Sequence, residues 1–291
     1  MNLYNRSRLY FLKNEIVVVG IAPYSRLLNK NAKYFKRNTS FYFTSWDAWD
    51  GSKFPNEGID NIEEFERHLK ECFLGAFCVS KKSAEQLRNV LDADISIVNH
   101  AVNCELYRKR EDSNLKCNKY IFVGQYIKRK NIDLILSWLE RNKDCDLEVA
   151  FVGRGPLERE IDLSSERDHR IKNLGFCSKG KLQAILCEYD FLILPSESEP
   201  FGIVLIEALA AGTPCIASST TGGTEIIHDG INGFIFDLND AESAFDLAMK
   251  KSMSMSAEQL ATMRYNSAKN ALEYDSGQII DKWMDLIKKC F

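Results

Sequence analysis

Short apolar, β-branched runs alternate along the chain with stretches whose apolar positions recur every three or four residues. Uninterrupted apolar runs predict strands buried on both faces, and the helical repeats predict helices packed over them. Strands are expected at Glu15–Gly20, Ser40–Ser45, Gly75–Ser80 and Ile95–Asn99. Further strands are expected at Tyr120–Gly124, Leu147–Gly153, Ile171–Gly175, Phe191–Pro195, Thr213–Ala217 and Gly233–Asp237. Between them lie helical repeats such as Ile132, Ile135, Leu136 and Leu139, or Leu182, Ile185, Leu186 and Tyr189. Three helical stretches close the chain, at Asp240–Met253, Ala257–Glu273 and Ser276–Lys289. Strand–helix alternation of this kind predicts an α/β protein with doubly wound parallel sheets. The polar segment Tyr107–Lys119 has no apolar period and reads as a linker. The expected organisation is a smaller N-terminal lobe (1–115), a larger C-terminal lobe (116–275) and a final helix (276–291).

The run Tyr189–Asp237 carries the most chemistry. A buried strand stops at Pro195, and the polar loop Ser196–Glu199 follows. Pro200 and Gly202 then lead into an apolar helix, Ile203–Ala211, which Gly212 ends. In parallel α/β sheets, strand carboxyl ends and helix amino ends line the ligand crevice. The backbone N–H groups of Phe201, Gly202 and Ile203 are therefore expected to form an anion site suited to a diphosphate. Glu199 stands just before this helix and Glu207 lies inside it, among Leu205, Ile206, Ala208, Leu209 and Ala210. A carboxylate in such company needs partners, and a cis-diol is a suitable one.

These residues resemble the donor-binding signature of the retaining GT-B glycosyltransferases of family 4, the glycosyl transferases group 1. The resemblance rests on Pro195-Ser196, Glu199-Pro200-Phe201-Gly202, Glu207, Gly212-Thr213-Pro214, Gly222-Gly223-Thr224-Glu225 and Gly230-Ile231-Asn232-Gly233. Phe122–Leu136, Phe151–Ile161 and Asn173–Leu182 resemble further family segments in the right order. GAFCVSKKSAEQL and ISIVNHAVNCELY resemble the second half of the family's front lobe. The resemblance implies a GT-B fold of two Rossmann-like lobes with parallel sheets, the N-terminal lobe reduced, with the helix at 276–291 expected to cross back to the N-terminal lobe. It implies that Glu207 binds the donor's ribose hydroxyls and Glu199 the donor sugar. Lys130 would hold the diphosphate, and Arg154 and Phe176 fall on the turns that face the nucleotide. Gln125 occupies a position where the family places Arg; either Lys128 or Arg129 is available to supply that charge.

The net charge of −3 argues against nucleic acid as a partner. Nine cysteines without CxxC spacing read as free thiols of a reducing compartment, and no metal motif is present. No cofactor is expected beyond the nucleotide-sugar donor, and no metal. Trp46, Asp47, Trp49 and Asp50 combine rings and carboxylates in the way sugar sites do, which makes Asp47 the candidate base on the acceptor. Residues 1–37 carry eight Lys and Arg against one Glu, with aromatic residues interleaved. Such a patch suits anionic lipid and a lipid-linked acceptor, with the protein cytoplasmic and peripheral on the inner membrane face. An ordinary solvated helix face is the alternative. His100 is expected at an interdomain hinge and His228 at a helix end.

Three functions are carried forward. The first is a transferase moving a sugar, with retention, to a saccharide or lipid-linked saccharide in surface polysaccharide synthesis. The second is a non-catalytic nucleotide-sugar-binding partner subunit, favoured by the short front lobe and Gln125. The third is an epimerase or hydrolase on the same fold.

Overall fold

The computed structural model of the 291-residue chain describes residues 16–19, 39–44, 67, 70–88, 94–107, 116–220 and 222–289. It divides into two compact units: Met1–Asn99 together with Leu286–Phe291, and His100–Asp285. Each expected strand is present, with ends within two residues of the sequence reading. The fold is of the GT-B type.

The first unit holds a four-stranded parallel sheet in chain order: β1 (Ile16–Val19), β2 (Thr39–Thr44), β3 (Gly75–Cys78) and β4 (Asp94–Ile97). Helix α1 (Lys81–Arg88) follows β3 and buries Ala84 and Leu87. Its start is fixed by Ser80, whose buried hydroxyl accepts the Ser83 N–H at 3.1 Å, one of the donors that a helix start leaves unpaired.

The second unit holds a six-stranded parallel sheet in the order β10-β9-β8-β5-β6-β7. Its strands are β5 (Lys119–Val123), β6 (Glu148–Val152), β7 (Ile171–Gly175), β8 (Phe191–Leu194), β9 (Cys215–Ser218) and β10 (Gly233–Phe236). The helices between them are α2 (Ile132–Arg141), α3 (Glu158–Arg167), α4 (Lys179–Ile185) and α5 (Ile203–Ala210). They are followed by α6 (Ala241–Met253), α7 (Ala257–Ala271) and α8 (Ser276–Lys289), whose residues from Leu286 onward are counted with the first unit. β9 starts two residues later than expected because Pro214 has no N–H for the ladder; its carbonyl still accepts Leu192 N–H. The core is aromatic. Tyr120 stacks on Phe191 at 5.9 Å, and Phe191 stacks on Phe234 at 6.0 Å.

The division between the units falls at 99/100, ahead of the expected 115/116. The cause is local: Val102 forms a β-bridge with Asp275, and Cys104 N–H donates to the Asp275 carboxylate at 2.9 Å. Tyr107, read as the start of a solvated linker, is instead 4% exposed. Residues 108–115 of that linker lie outside the described residues, as do Trp46, Asp47, Trp49, Asp50 and all of 1–37 except β1. None of the eight described cysteines is in a disulfide. Among the described residues, no helix is long and apolar enough to cross a membrane.

Candidate functional site

The strand order of the second unit reverses between β5 and β8, because β6 and β7 lie on one side of β5 while β8, β9 and β10 lie on the other. At such a switch point the loops leaving the two strands part and open a crevice at their carboxyl ends. The loops in question are Gly124–Asn131 after β5 and Pro195–Gly202 after β8.

The first loop packs tightly against its neighbour. Tyr126 N–H donates to Arg154 O at 2.9 Å, and Leu157 N–H returns to Tyr126 O at 3.0 Å. A Cβ on Gly153 would lie 1.8 Å from Gly124 O, so only glycine fits there. The loop ends in a tight turn, Lys128–Lys130, closed by Asn131 in the left-handed region at φ 53. That turn buries Lys130 and leaves Lys128 and Gln125 exposed.

The second loop is bound to the first. Glu197 N–H donates to Arg129 O at 2.9 Å, and the Arg129 guanidinium donates to Ser198 O. Lys130 Nζ forms an ion pair with Glu199 Oε2, and Arg129 stands 3.9 Å from the same oxygen. Of the two cations named beside Gln125, Arg129 is the one that stands near Glu199. Gly202, at φ +79, starts α5 as its cap residue, and among the described residues no side-chain cap bond is made there. Phe201 is buried and Ile203 is 41% exposed. Ser196 is fully buried; its carbonyl accepts from Ser218 at 2.5 Å and from Thr220 at 2.8 Å. Its hydroxyl oxygen has no hydrogen-bond partner among the described residues.

Glu207 lies on α5, one helical turn behind this entrance. Burial raises its pKa, while a hydrogen bond from Tyr107 and the charge of Lys179 lower it. The Tyr107 hydroxyl donates to Glu207 Oε1 at 2.9 Å. Burial and the Glu207 charge push the Tyr107 phenol well above its usual range. His100 sits 5.6 Å from the Phe201 ring, and burial lowers its pKa, which favours the neutral imidazole.

Arg154 places its guanidinium carbon 4.9 Å over the Phe176 ring, which is 67% exposed. The two residues expected to face the nucleotide are therefore partners of each other. Among the described residues, no group of three His, Cys, Asp or Glu side chains is placed to hold a metal ion.

The structure brings Lys130, Glu199, Phe201, Gly202 and Ile203 together, with Glu207 behind them; Gln125 lies on the first loop and Asp47 outside the described residues. Sequence reasoning missed Tyr107 and the buried Ser196 hydroxyl. The signal for Tyr107 was available in Glu207, a carboxylate on an apolar helix that needed a donor.

The sequence matches the family described as glycosyl transferases group 1 over residues 104–270. That is more than half of the chain, and the chain belongs to this family. It is 31% identical over 166 residues to an uncharacterized glycosyltransferase of Methanocaldococcus jannaschii, covering 56% of this chain and 45% of that protein. It is 26% identical over 194 residues to the UDP-Gal:alpha-D-GlcNAc-diphosphoundecaprenol alpha-1,3-galactosyltransferase of Escherichia coli, covering 60% and 50%. The chain spans about half the length of the curated relatives it matches. In three dimensions it is similar to Anabaena HepE, crystallised with UDP and glucose. The TM-score is 0.79 at 15% identity, over 97% of this chain and 79% of that one.

Proposed function

We propose that this chain is a glycosyltransferase that moves a sugar, with retention, from a nucleotide-diphosphate sugar to a saccharide or lipid-linked saccharide in surface polysaccharide synthesis. The observation that carries the reading is the grouping at the β5/β8 switch point. There a buried lysine and an arginine meet a carboxylate at the start of an uncapped helix. Bond cleavage in a nucleotide-diphosphate sugar leaves negative charge on the diphosphate, so the main task is to neutralise it. In this reading Lys130, Arg129 and the amino end of α5 do so, and no metal or other cofactor is required for that step. Glu199 receives sugar hydroxyls once Lys130 turns to the diphosphate. Glu207 receives ribose hydroxyls, and the Arg154–Phe176 pair offers a flat surface to the base. Ligands of HepE and the acceptor named for the Escherichia coli relative support this choice of donor and acceptor.

A second reading, a nucleotide-sugar-binding subunit without turnover, is favoured by the exposed, uncharged Gln125.

The test is calorimetric titration with UDP, GDP and ADP and their common sugar conjugates. One nucleotide class is expected to bind, and Glu207→Ala is expected to weaken it about tenfold or more through lost ribose hydrogen bonds. No binding at millimolar concentration would rule the transferase reading out for this chain. Binding followed by sugar transfer to a saccharide or lipid-linked acceptor supports the first reading; binding without turnover supports the second.

A further inference from the structure

We propose that Tyr107 is a positioning residue for the nucleotide site: its hydroxyl holds Glu207 Oε1, fixing the carboxylate so that Oε2 meets the ribose. The inference rests on the donor-site reading above and adds to it a residue outside the run Tyr189–Asp237.

Placing Glu207 on this helix is costly. Its neighbours on α5 are buried apolar residues, and the carboxylate is largely withdrawn from water. A carboxylate so placed either finds a donor or takes up a proton. Tyr107 is the donor, at 2.9 Å, from a residue one hundred positions earlier in the chain. Its ring is 4% exposed and has only two side-chain torsions, so the hydroxyl is delivered with little freedom.

The backbone that presents it is also held. Asn103 caps the turn Cys104–Leu106 through Glu105 N–H at 3.1 Å, and Tyr107 N–H closes the turn on Cys104 O at 3.3 Å. Asp275 anchors that turn through Cys104 N–H. On the far side, α4 contributes Lys179, whose charge acts on Glu207, and Gln183, whose side chain hydrogen-bonds the Tyr107 hydroxyl. Among the described residues, the titratable groups that act on Glu207 are Tyr107 and Lys179. Both favour the ionised carboxylate, while burial opposes it. Removing the hydroxyl while keeping the ring leaves burial opposed by Lys179 alone. The Glu207 pKa then rises, and nucleotide affinity falls off at a higher pH.

The experiment is a double-mutant cycle on the full chain. Wild type, Tyr107→Phe, Glu207→Ala and the double variant are titrated with UDP, GDP and ADP at about pH 6 and about pH 8. Tyr107→Phe is expected to weaken binding about tenfold at the lower pH and less at the higher, and to add nothing in the Glu207→Ala background. Wild-type affinity in Tyr107→Phe at both pH values would overturn the role of Tyr107. So would an equal loss with and without Glu207. If Glu207→Ala alone remains about tenfold weaker in either case, the donor-site reading stands. A wild type that binds none of the three would instead remove the donor-site reading, and this inference with it. Should Tyr107→Phe fail to fold, Glu207→Gln takes its place: its acid limb of binding must disappear, and an unchanged limb would overturn the proposal.

Discussion

The two ends of the six-stranded sheet use buried charge in opposite ways. At the amino ends of the strands, charged side chains are committed to the protein itself. Asp190, 1% exposed, accepts the N–H groups of Asn118 and Lys119 at 3.0 and 2.9 Å. Arg264 donates to Tyr189 O and Cys187 O at 2.9 and 3.0 Å. Arg170 donates to Leu139 O at 2.7 Å and Asn142 O at 2.6 Å, and pairs with Asp168. At the carboxyl ends, Lys130 and Glu199 hold each other across two loops, the Ser196 hydroxyl has no described partner, and no side chain caps α5. Burial of a charge is therefore a poor guide to function. What separates the two ends is whether a small molecule can replace the partner: a main-chain carbonyl inside a fold cannot be displaced, whereas a side chain on a loop can.

The strongest way to break this contrast is Arg170→Ala. It leaves Asp168 without its guanidinium and takes a charged donor from the buried Leu139 carbonyl. The unfolding free energy is expected to fall by about 2–3 kcal/mol, because a buried guanidinium and its charge-assisted hydrogen bonds are lost. Urea denaturation measures this, and nucleotide affinity of the folded protein should not change. Lys130→Ala should do the reverse. Affinity for a nucleoside diphosphate is expected to drop about tenfold or more, because charge-assisted bonds to phosphate are lost. Its loss of stability should be smaller than that of Arg170→Ala. Equal stability losses in the two variants would erase the distinction between the ends.

The smallest effect concerns acid. The Arg170 hydrogen bond holds the Asp168 carboxyl below its ordinary value. A depressed carboxylate pKa adds stability above the unfolded value of about 4, and that stability is lost as pH falls through the folded value. The Tm of the wild type should therefore decline more between about pH 5 and pH 3 than that of Arg170→Ala. Parallel declines in the two proteins would show that this pair carries no pH dependence.

Much of this was legible in the sequence, and the boundary of legibility has a physical cause. Strand and helix periods are local, so all ten strands could be placed to within two residues. The loop from Pro195 to Gly202 and the helix carrying Glu207 are contiguous, so their grouping could be read directly. Choosing between Lys128 and Arg129 depended on the tight turn closed by Asn131, which sets where each of the three basic side chains is directed. Tyr107 was assigned to a linker because its partner lies one hundred residues away. Arg264 and Asp190 were invisible for the same reason: each pairs with backbone, which every residue has.

The ion pair between Lys130 and Glu199 has one further consequence. Glu199 is a tethered counter-ion, present at an effective concentration that short connections set in the millimolar range or above. Any anion that seeks Lys130 competes with it. Chloride or a simple monoanion carries too little charge to win often. A diphosphate brings more charge and also meets the amino end of α5, so it is the kind of anion that displaces the carboxylate. The displaced group is the one proposed to receive the sugar. Arrival of the leaving group and readiness of the sugar-binding carboxylate then become a single exchange, which screens ligands by valence before their sugar is read.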